Sequence, residues 1–418
     1  MRRYKLLIVV ALIIVSVFAF SQTGIASSDK IWDVQYRGVR AMGMGNAFGA
    51  VSDDSDAYYY NPAGLAFVRK LRIDIQPVHL IPTEDFYSEA KDINDLIDDV
   101  DRISKSSQPL EDPKLKDERI RLMNRLERLT NENVGLDAGF PVSVMIPLHI
   151  KNYSVTVGAM SHGWSLSQIK VQKNGLQWGN LVLDIMDDGI FYKIMGETSY
   201  GLASAINLPI PMTPVEVSVG LSIMRVERWL LTDENDLMKF GDLVNFDGKD
   251  GIKGTADDFR NRFFDPDDPL SSIAKGSGYN INAGIIASLG DAIKMGLTFD
   301  NVLGKVNYKE IKDEVPDRLA GISAAVNLTK LPSPDIPMVD AIVSASIDDM
   351  NSGNTQKRVG LELAWKPMGI LVVSGRVGSN NGFPTLGAGV KLLFLDLNYA
   401  FYGDEVTNWH AFSLNLAF

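Results

Sequence analysis

Period-two alternation of apolar and polar residues, repeated in segment after segment, constrains this chain more than any other feature. Val215, Val217, Val219, Leu221 and Ile223 share one face of a strand, and Glu216, Ser218, Gly220 and Ser222 share the other. Ile281, Ala283, Ile285, Ala287 and Leu289 oppose Asn280, Asn282, Gly284 and Ser288. Tyr153, Val155, Val157 and Ala159 oppose Ser154, Thr156 and Gly158, and Val359, Leu361, Leu363 and Trp365 oppose Gly360, Glu362 and Ala364. Each such strand has one apolar and one polar face. A soluble sandwich satisfies this pattern by packing apolar faces together, and a membrane barrel satisfies it by turning them to lipid.

Connection lengths favour the barrel. The alternation places strands near 71–80, 138–148, 153–161, 198–207, 215–226, 278–289, 292–301, 318–328, 339–348, 356–366, 370–378, 384–393, 394–402 and 409–418. That is about 14, an even number, as single-chain barrels have. The links at 149–152, 209–213, 290–291, 329–337, 366–369 and near 393–394 are short. Those at 81–137, 162–197, 227–277 and 302–317 are long, and the two sets alternate along the chain. Short turns at one end and long extracellular loops at the other mark an outer-membrane protein. The expected fold is all-β, a transmembrane antiparallel β-barrel over residues 71–418.

Composition agrees. A mean hydropathy of +0.00 with 45% hydrophobic residues is too polar for a helical membrane protein and ordinary for a barrel with a polar lumen. A net charge of −11 offers no basic face for nucleic acid. The absence of Cys excludes disulfides, Cys metal sites and a lipidated N-terminal Cys. Arg2, Arg3 and Lys5 precede the apolar run Leu6–Phe20, which reads as a signal peptide over 1–21, with cleavage after Ser21 or, alternatively, after Ala26. A retained membrane anchor is the other reading of that run. No later window reaches 18 apolar residues, so no spanning helix follows.

Enzyme motifs fail on inspection. Gly43, Gly45 and Gly49 have GxGxxxG spacing and no surrounding βαβ unit. Ala159-Met160-Ser161-His162-Gly163 is a near-match to a nucleophile elbow, but it ends a strand with no helix after it. His79, His149, His162 and His410 are far apart in sequence. No enzymatic activity or cofactor is expected, and none of these motifs supplies a metal site. Residues 233–269 are rich in carboxylates, among them Asp242, Asp247, Asp250, Asp257, Asp258, Asp265, Asp267 and Asp268. Their spacing departs from a calcium loop, and a solvated acidic loop and a Ca²⁺ site both stay open.

Between the N-terminal hydrophobic run and the first strand lies Arg37–Ala66, RGVRAMGMGNAFGAVSDDSDAYYYNPAGLA. It combines Gly43, Gly45, Gly49 and Gly64 with Tyr58, Tyr59, Tyr60 and the run Asn61-Pro62-Ala63. Glycines allow close backbone approach or positive φ, Pro62 fixes a turn, and tyrosines supply amphipathic surface. This stretch resembles the N-terminal plug of the FadL family of outer-membrane long-chain fatty-acid transporters and of their PorV-type secretion-shuttle relatives. The resemblance implies a plug over residues 22–70 inside the barrel, with these ten residues in plugging and gating. It further implies passive uptake of a hydrophobic small molecule that leaves sideways into outer-membrane lipid. In the PorV-type alternative the barrel does not transport, and its loops bind a secreted or surface protein.

Three further features complete the reading. The last strand puts Phe412, Leu414, Leu416 and Phe418 on one face, and its terminal Phe418 resembles the ending that the barrel-assembly machinery recognises. Trp365 and Trp409 are expected in aromatic girdles at the two interfaces. The insertion at 84–132 has helical period, with Ile93, Leu96, Ile97, Val100 and Ile103 as one stripe and Ile120, Met123, Leu126 and Leu129 as another. It reads as a helical hairpin, either a self-packing cap or a ligand-collecting groove.

Overall fold

The computed structural model describes residues 38–84, 134–150, 153–172, 189–232, 274–309, 312–331, 338–350, 355–367, 370–403 and 408–418, with isolated positions between 86 and 128 and at 238–239. The signal-peptide region, residues 22–37 and the acidic stretch 240–273 lie outside the described residues.

Strands form where the alternation predicts them. They are β1 (Arg72–Pro82), β2 (Val134–Ile150), β3 (Tyr153–Gln172), β4 (Gly189–Pro209), β5 (Val215–Thr232), the two-residue β6 (Met238–Lys239), β7 (Ala274–Leu289), β8 (Ile293–Tyr308) and β9 (Leu319–Asn327). The remainder are β10 (Val339–Asp348), β11 (Gln356–Trp365), β12 (Leu371–Asn380), β13 (Phe383–Leu392), β14 (Leu395–Gly403) and β15 (Asn408–Ala417). Among the described residues, β6 pairs only with the tip of β4. The other 14 strands form one antiparallel ring, closed by β3 against β4 and by β1 against β15, where Asp74 faces Ala417. Closure removes every sheet edge from the ring, the condition for a sheet in lipid.

The phase of the alternation is now fixed. Leu221 is 45% exposed on the outer surface, and its neighbour Ser222 is fully buried toward the lumen. Leu202, Leu297, Leu363, Leu386 and Phe412 continue the outer apolar coat. Thr156, Ser218, Asn282, Ser323, Glu362 and Ser413 point inward. Trp365 is exposed beside its short turn, as expected. Trp409 is a correction: it is buried with Val39, Met42 and Tyr402, because it has the opposite parity to the lipid-facing Phe412 and Leu414.

The wall is uneven in height. β10–β15 have 9 or 10 residues each, about the 9–11 a spanning strand needs. β2–β5 have 17 to 21. The expected loops 162–197, 227–277 and 302–317 are therefore partly strand. Beyond the membrane neither face must be apolar, so the hydrogen-bond ladder continues there without the alternation that marks a spanning segment. At the described positions from 86 to 128 the insertion is helical, and Arg125 to Asp95 at 3.2 Å and Arg128 to Asp92 at 3.1 Å tie its two halves together.

β1 carries a one-residue bulge. Its register shifts against β15 between Ile75 and Val78, and against β2 between Ile75 and His79. Pro77 lies within it and cannot donate to a ladder. The extra residue turns both Gln76 and His79 inward, where Gln76 Nε2 and His79 Nδ1 are 3.0 Å apart.

Candidate functional site

Residues 38–68 fold inside the ring. They form α1 (Val39–Gly43), α2 (Ala57–Tyr60) and a 3-10 turn (Pro62–Phe67). Both helices are too short to persist alone, so packing against the wall maintains them. α1 lies against β12–β15, and the 3-10 turn against β3, β4, β5 and β7. Met42, Met44, Phe48, Tyr58, Ala63 and Leu65 are almost wholly buried.

The Asn61-Pro62-Ala63 run is the tightest joint. Asn61 is fully buried. Its Oδ1 accepts the Ala63 N–H at 3.1 Å and so caps the 3-10 turn, which Pro62 opens. Its Nδ2 donates to the Gly49 carbonyl at 2.9 Å, tying Gly49 into the same joint. Two wall glycines that the sequence reading did not single out make room for it. A Cβ on Gly284 would lie 1.9 Å from Asn61 Oδ1, and one on Gly220 would lie 2.2 Å from the Ala63 nitrogen. Gly45 has φ +62°, and a side chain there would meet the Ser379 backbone at 2.5 Å. Gly43 backs onto Gly387, and Gly64 onto Ser52.

The three tyrosines reach three places. The Tyr58 hydroxyl donates to the wall carbonyls of Val144 and Ala159, at 3.2 and 3.3 Å. Tyr59 Oη is 3.0 Å from His162 Nδ1 on β3. The His162 ring meets His79 of the bulge edge-on at 6.4 Å, so the contact leads from the segment to the irregular part of the wall. The Tyr60 hydroxyl donates to Asn46 Oδ1 at 2.9 Å and accepts the Gly38 N–H, and Asn46 donates on to Tyr402. Burial raises the pKa of all three phenols above the ordinary range, so they serve as neutral hydrogen-bonding groups.

An ionic network holds the other side. Arg40 of α1 pairs bidentately with Glu362 of β11, at 2.8 and 3.0 Å, and bonds Asp53 at 2.7 Å and Asp54 at 2.9 Å. Glu362 also accepts from Arg376 Nε of β12 at 2.7 Å. Arg376 donates further to Asn398 and Ser374, both at 2.9 Å. Burial opposes the charge of Asp53, but Arg40 and then Lys294 outweigh it and hold its carboxyl below the ordinary value. The sequence reading missed this network. Its one local signal is a charged residue on the polar face of an otherwise unremarkable strand, as with Glu362 and Arg376.

The structure thus brings together all ten residues singled out in the sequence. They lie inside the ring, and each hydrogen bond or ion pair described here between the segment and the wall involves a side chain rather than strand pairing.

Among solved structures, the toluene transporter TbuX of Ralstonia pickettii aligns with 93% of this chain and 98% of its own, at 9% identity and TM-score 0.48. The toluene transporter TodX of Pseudomonas putida aligns with 93% and 98%, at 10% identity and TM-score 0.43. The translocator domain of the autotransporter NalP from Neisseria meningitidis aligns with 84% and 88%, at 10% identity and TM-score 0.36. No curated protein matches the sequence. A family model does: the one described as F plasmid transfer operon, TraF, protein matches residues 58–318, more than half of the chain, and the chain belongs to that family.

Proposed function

We propose that this protein is an outer-membrane barrel whose N-terminal segment is a displaceable plug, and that it mediates passive uptake of hydrophobic compounds. The observation that carries this is the plug's attachment. It lies inside the ring, and its hydrogen bonds and ion pairs to the wall involve side chains, so it can shift without unpairing a strand of the ring. The bulge in β1 adds support. It interrupts the ladder on both sides of one strand and connects to the plug through His79, His162 and Tyr59. A wall weakened there, beside an apolar exterior, offers a molecule that has entered the lumen a lateral way into lipid.

The tall β2–β5 wall supports a second reading, a non-transporting shuttle or surface protein of the PorV type. Strands that overshoot the membrane by several residues present surface to a secreted or surface protein.

Native mass spectrometry of the detergent-purified protein, with extraction of co-purifying lipid, separates the two. Uptake predicts a bound apolar molecule that is lost in the Asn61→Ala/Pro62→Ala variant. A folded barrel that carries nothing apolar but retains a protein through its long loops refutes uptake and favours the second reading.

A further inference from the structure

We infer that the ligand passes the plug on one side only, along a methionine-lined seam against β2–β5, while the plug stays moored at Arg40. The inference rests on the uptake reading and names the path and the ligand class it admits.

The two faces of the plug meet different walls. Toward β11, β12 and β14 the inward residues are Glu362, Arg376, Ser374 and Asn398, joined to Arg40 by the ionic network. Toward β2–β5 they include Met145, Met160, Ala203, Ala205 and Met224, packed on Ala57, Tyr58, Leu65, Ala66 and Val68 of the plug. Pairing places Met160 beside Gly201 and Gly201 beside Met224, so two thioethers flank a position with no side chain. Lumen-facing positions of a barrel are ordinarily polar, and three methionines there are out of pattern.

The chemistry of separation differs between the faces. Pulling the plug from β11–β12 strips buried guanidinium and carboxylate groups of partners that no apolar molecule can replace. Pulling it from β2–β5 uncovers methyl and thioether groups, and breaks neutral hydrogen bonds: Tyr58 to two carbonyls, Ser222 to the Tyr58 carbonyl, and Tyr59 to His162 and Ser199. An uncharged apolar ligand covers the former again as it enters. Methionine is unbranched, with three rotatable bonds and a polarisable sulfur, so such a lining adapts to varied shapes. The seam opens for the class of molecule it conducts and stays shut to ions. Immediately above it, Tyr59 and His162 lead to His79 and the bulge in β1.

The test uses the full chain in intact cells, with 1-N-phenylnaphthylamine as the neutral probe and its fluorescence rise as the rate. A Met160→Gln/Met224→Gln variant is expected to slow uptake about tenfold or more, because the amides hydrate as the plug lifts and an apolar probe must strip that water without replacing its hydrogen bonds. Leu230→Gln, in the separate cluster with Val226, Ala274, Val306 and Tyr308, is expected to leave the rate unchanged. Heat-modifiable mobility of each variant reports the folded barrel. The chain has no Cys, so the thiol introduced by Met224→Cys is unique, and excess probe should slow its reaction with N-ethylmaleimide. If wild-type cells take up probe faster than cells lacking the protein, while the Met160→Gln/Met224→Gln variant keeps the full rate and the thiol is unprotected, the seam is overturned and uptake stands. If wild-type cells show no acceleration, uptake itself falls, and the seam with it.

Discussion

Glu362→Gln isolates the worth of the ionic mooring, because it removes one charge and almost no volume. In the folded protein the Glu362 and Arg376 side chains are 6% and 5% exposed. After the change Arg40 keeps Asp53 and Asp54. The loss falls on Arg376, which is left with neutral acceptors alone: Asn398, Ser374 and the new amide oxygen. Leaving a buried charge uncompensated costs about 3–5 kcal/mol. Displacing the plug hydrates Arg376 and relieves that cost, so the closed state loses what the open state does not. At about 1.4 kcal/mol per tenfold, the open-to-closed ratio rises between about a hundredfold and a few thousandfold. Single-channel recording in planar bilayers measures it directly: the wild type stays closed, and the variant shows frequent ion-conducting openings. A Glu362→Met/Arg376→Met variant, which removes both charges and fills their space, should return most of the closed fraction. An open fraction for Glu362→Gln indistinguishable from wild type would refute the mooring.

Other outcomes follow from the same geometry. Gly284→Ala and Gly220→Ala drive a methyl into Asn61 and Ala63 and should each destabilise the plugged state by about 1–3 kcal/mol, read as increased conductance and protease sensitivity of the plug. Gly375→Ala, where a Cβ meets no atom within 4 Å, is the neutral control. The lowered pKa of Asp53 means that its pairing with Arg40 contributes fully above the ordinary value of 3.8 and fades only as pH falls through the still lower folded value. Closed-state occupancy should accordingly stay flat from neutral pH down to about 4 and decline below it, and a decline beginning near pH 6 would contradict the assignment. The Phe418 side chain is exposed and stacked on Phe394 at 5.3 Å, while its backbone pairs with Ile73 across the closure. Phe418→Ala, which keeps that pair, should lower the amount of barrel reaching the outer membrane in cells more than it lowers unfolding resistance in detergent.

Strand positions and the barrel class were legible because the two-residue period is local and lipid enforces it on every spanning segment. The overshoot of β3 to Gln172 was not, since outside lipid the ladder needs no pattern. Parity was legible within a strand, and a barrel orients it with Leu221 to lipid and Ser222 inward, but the lumen contacts of each inward residue were not. The bulge at Gln76–Val78 left only Pro77 as a trace. The plug segment announced itself through its glycines, tyrosines and Asn61-Pro62. Its receiving surface did not. Arg40 and Glu362 are 322 positions apart, and Gly220 and Gly284 sit in strands where a glycine reads as nothing more than a small residue on the polar face. Complementarity between distant segments leaves no local periodicity to find.

The ring closes by joining its first strand to its last, Asp74 beside Ala417, and this dictates an order of events during folding. Contacts so distant in the chain form slowly, because loop closure must precede any reward. Until the final strand arrives the curling sheet has two open edges, and the segment ahead of β1 already lies at one of them. Its partner Glu362 on β11 lies 322 positions further along the chain. The plug is therefore enclosed as the wall completes around it rather than threaded into a finished pore, and Arg40, by holding Glu362, brings the late strands toward the early ones they must meet.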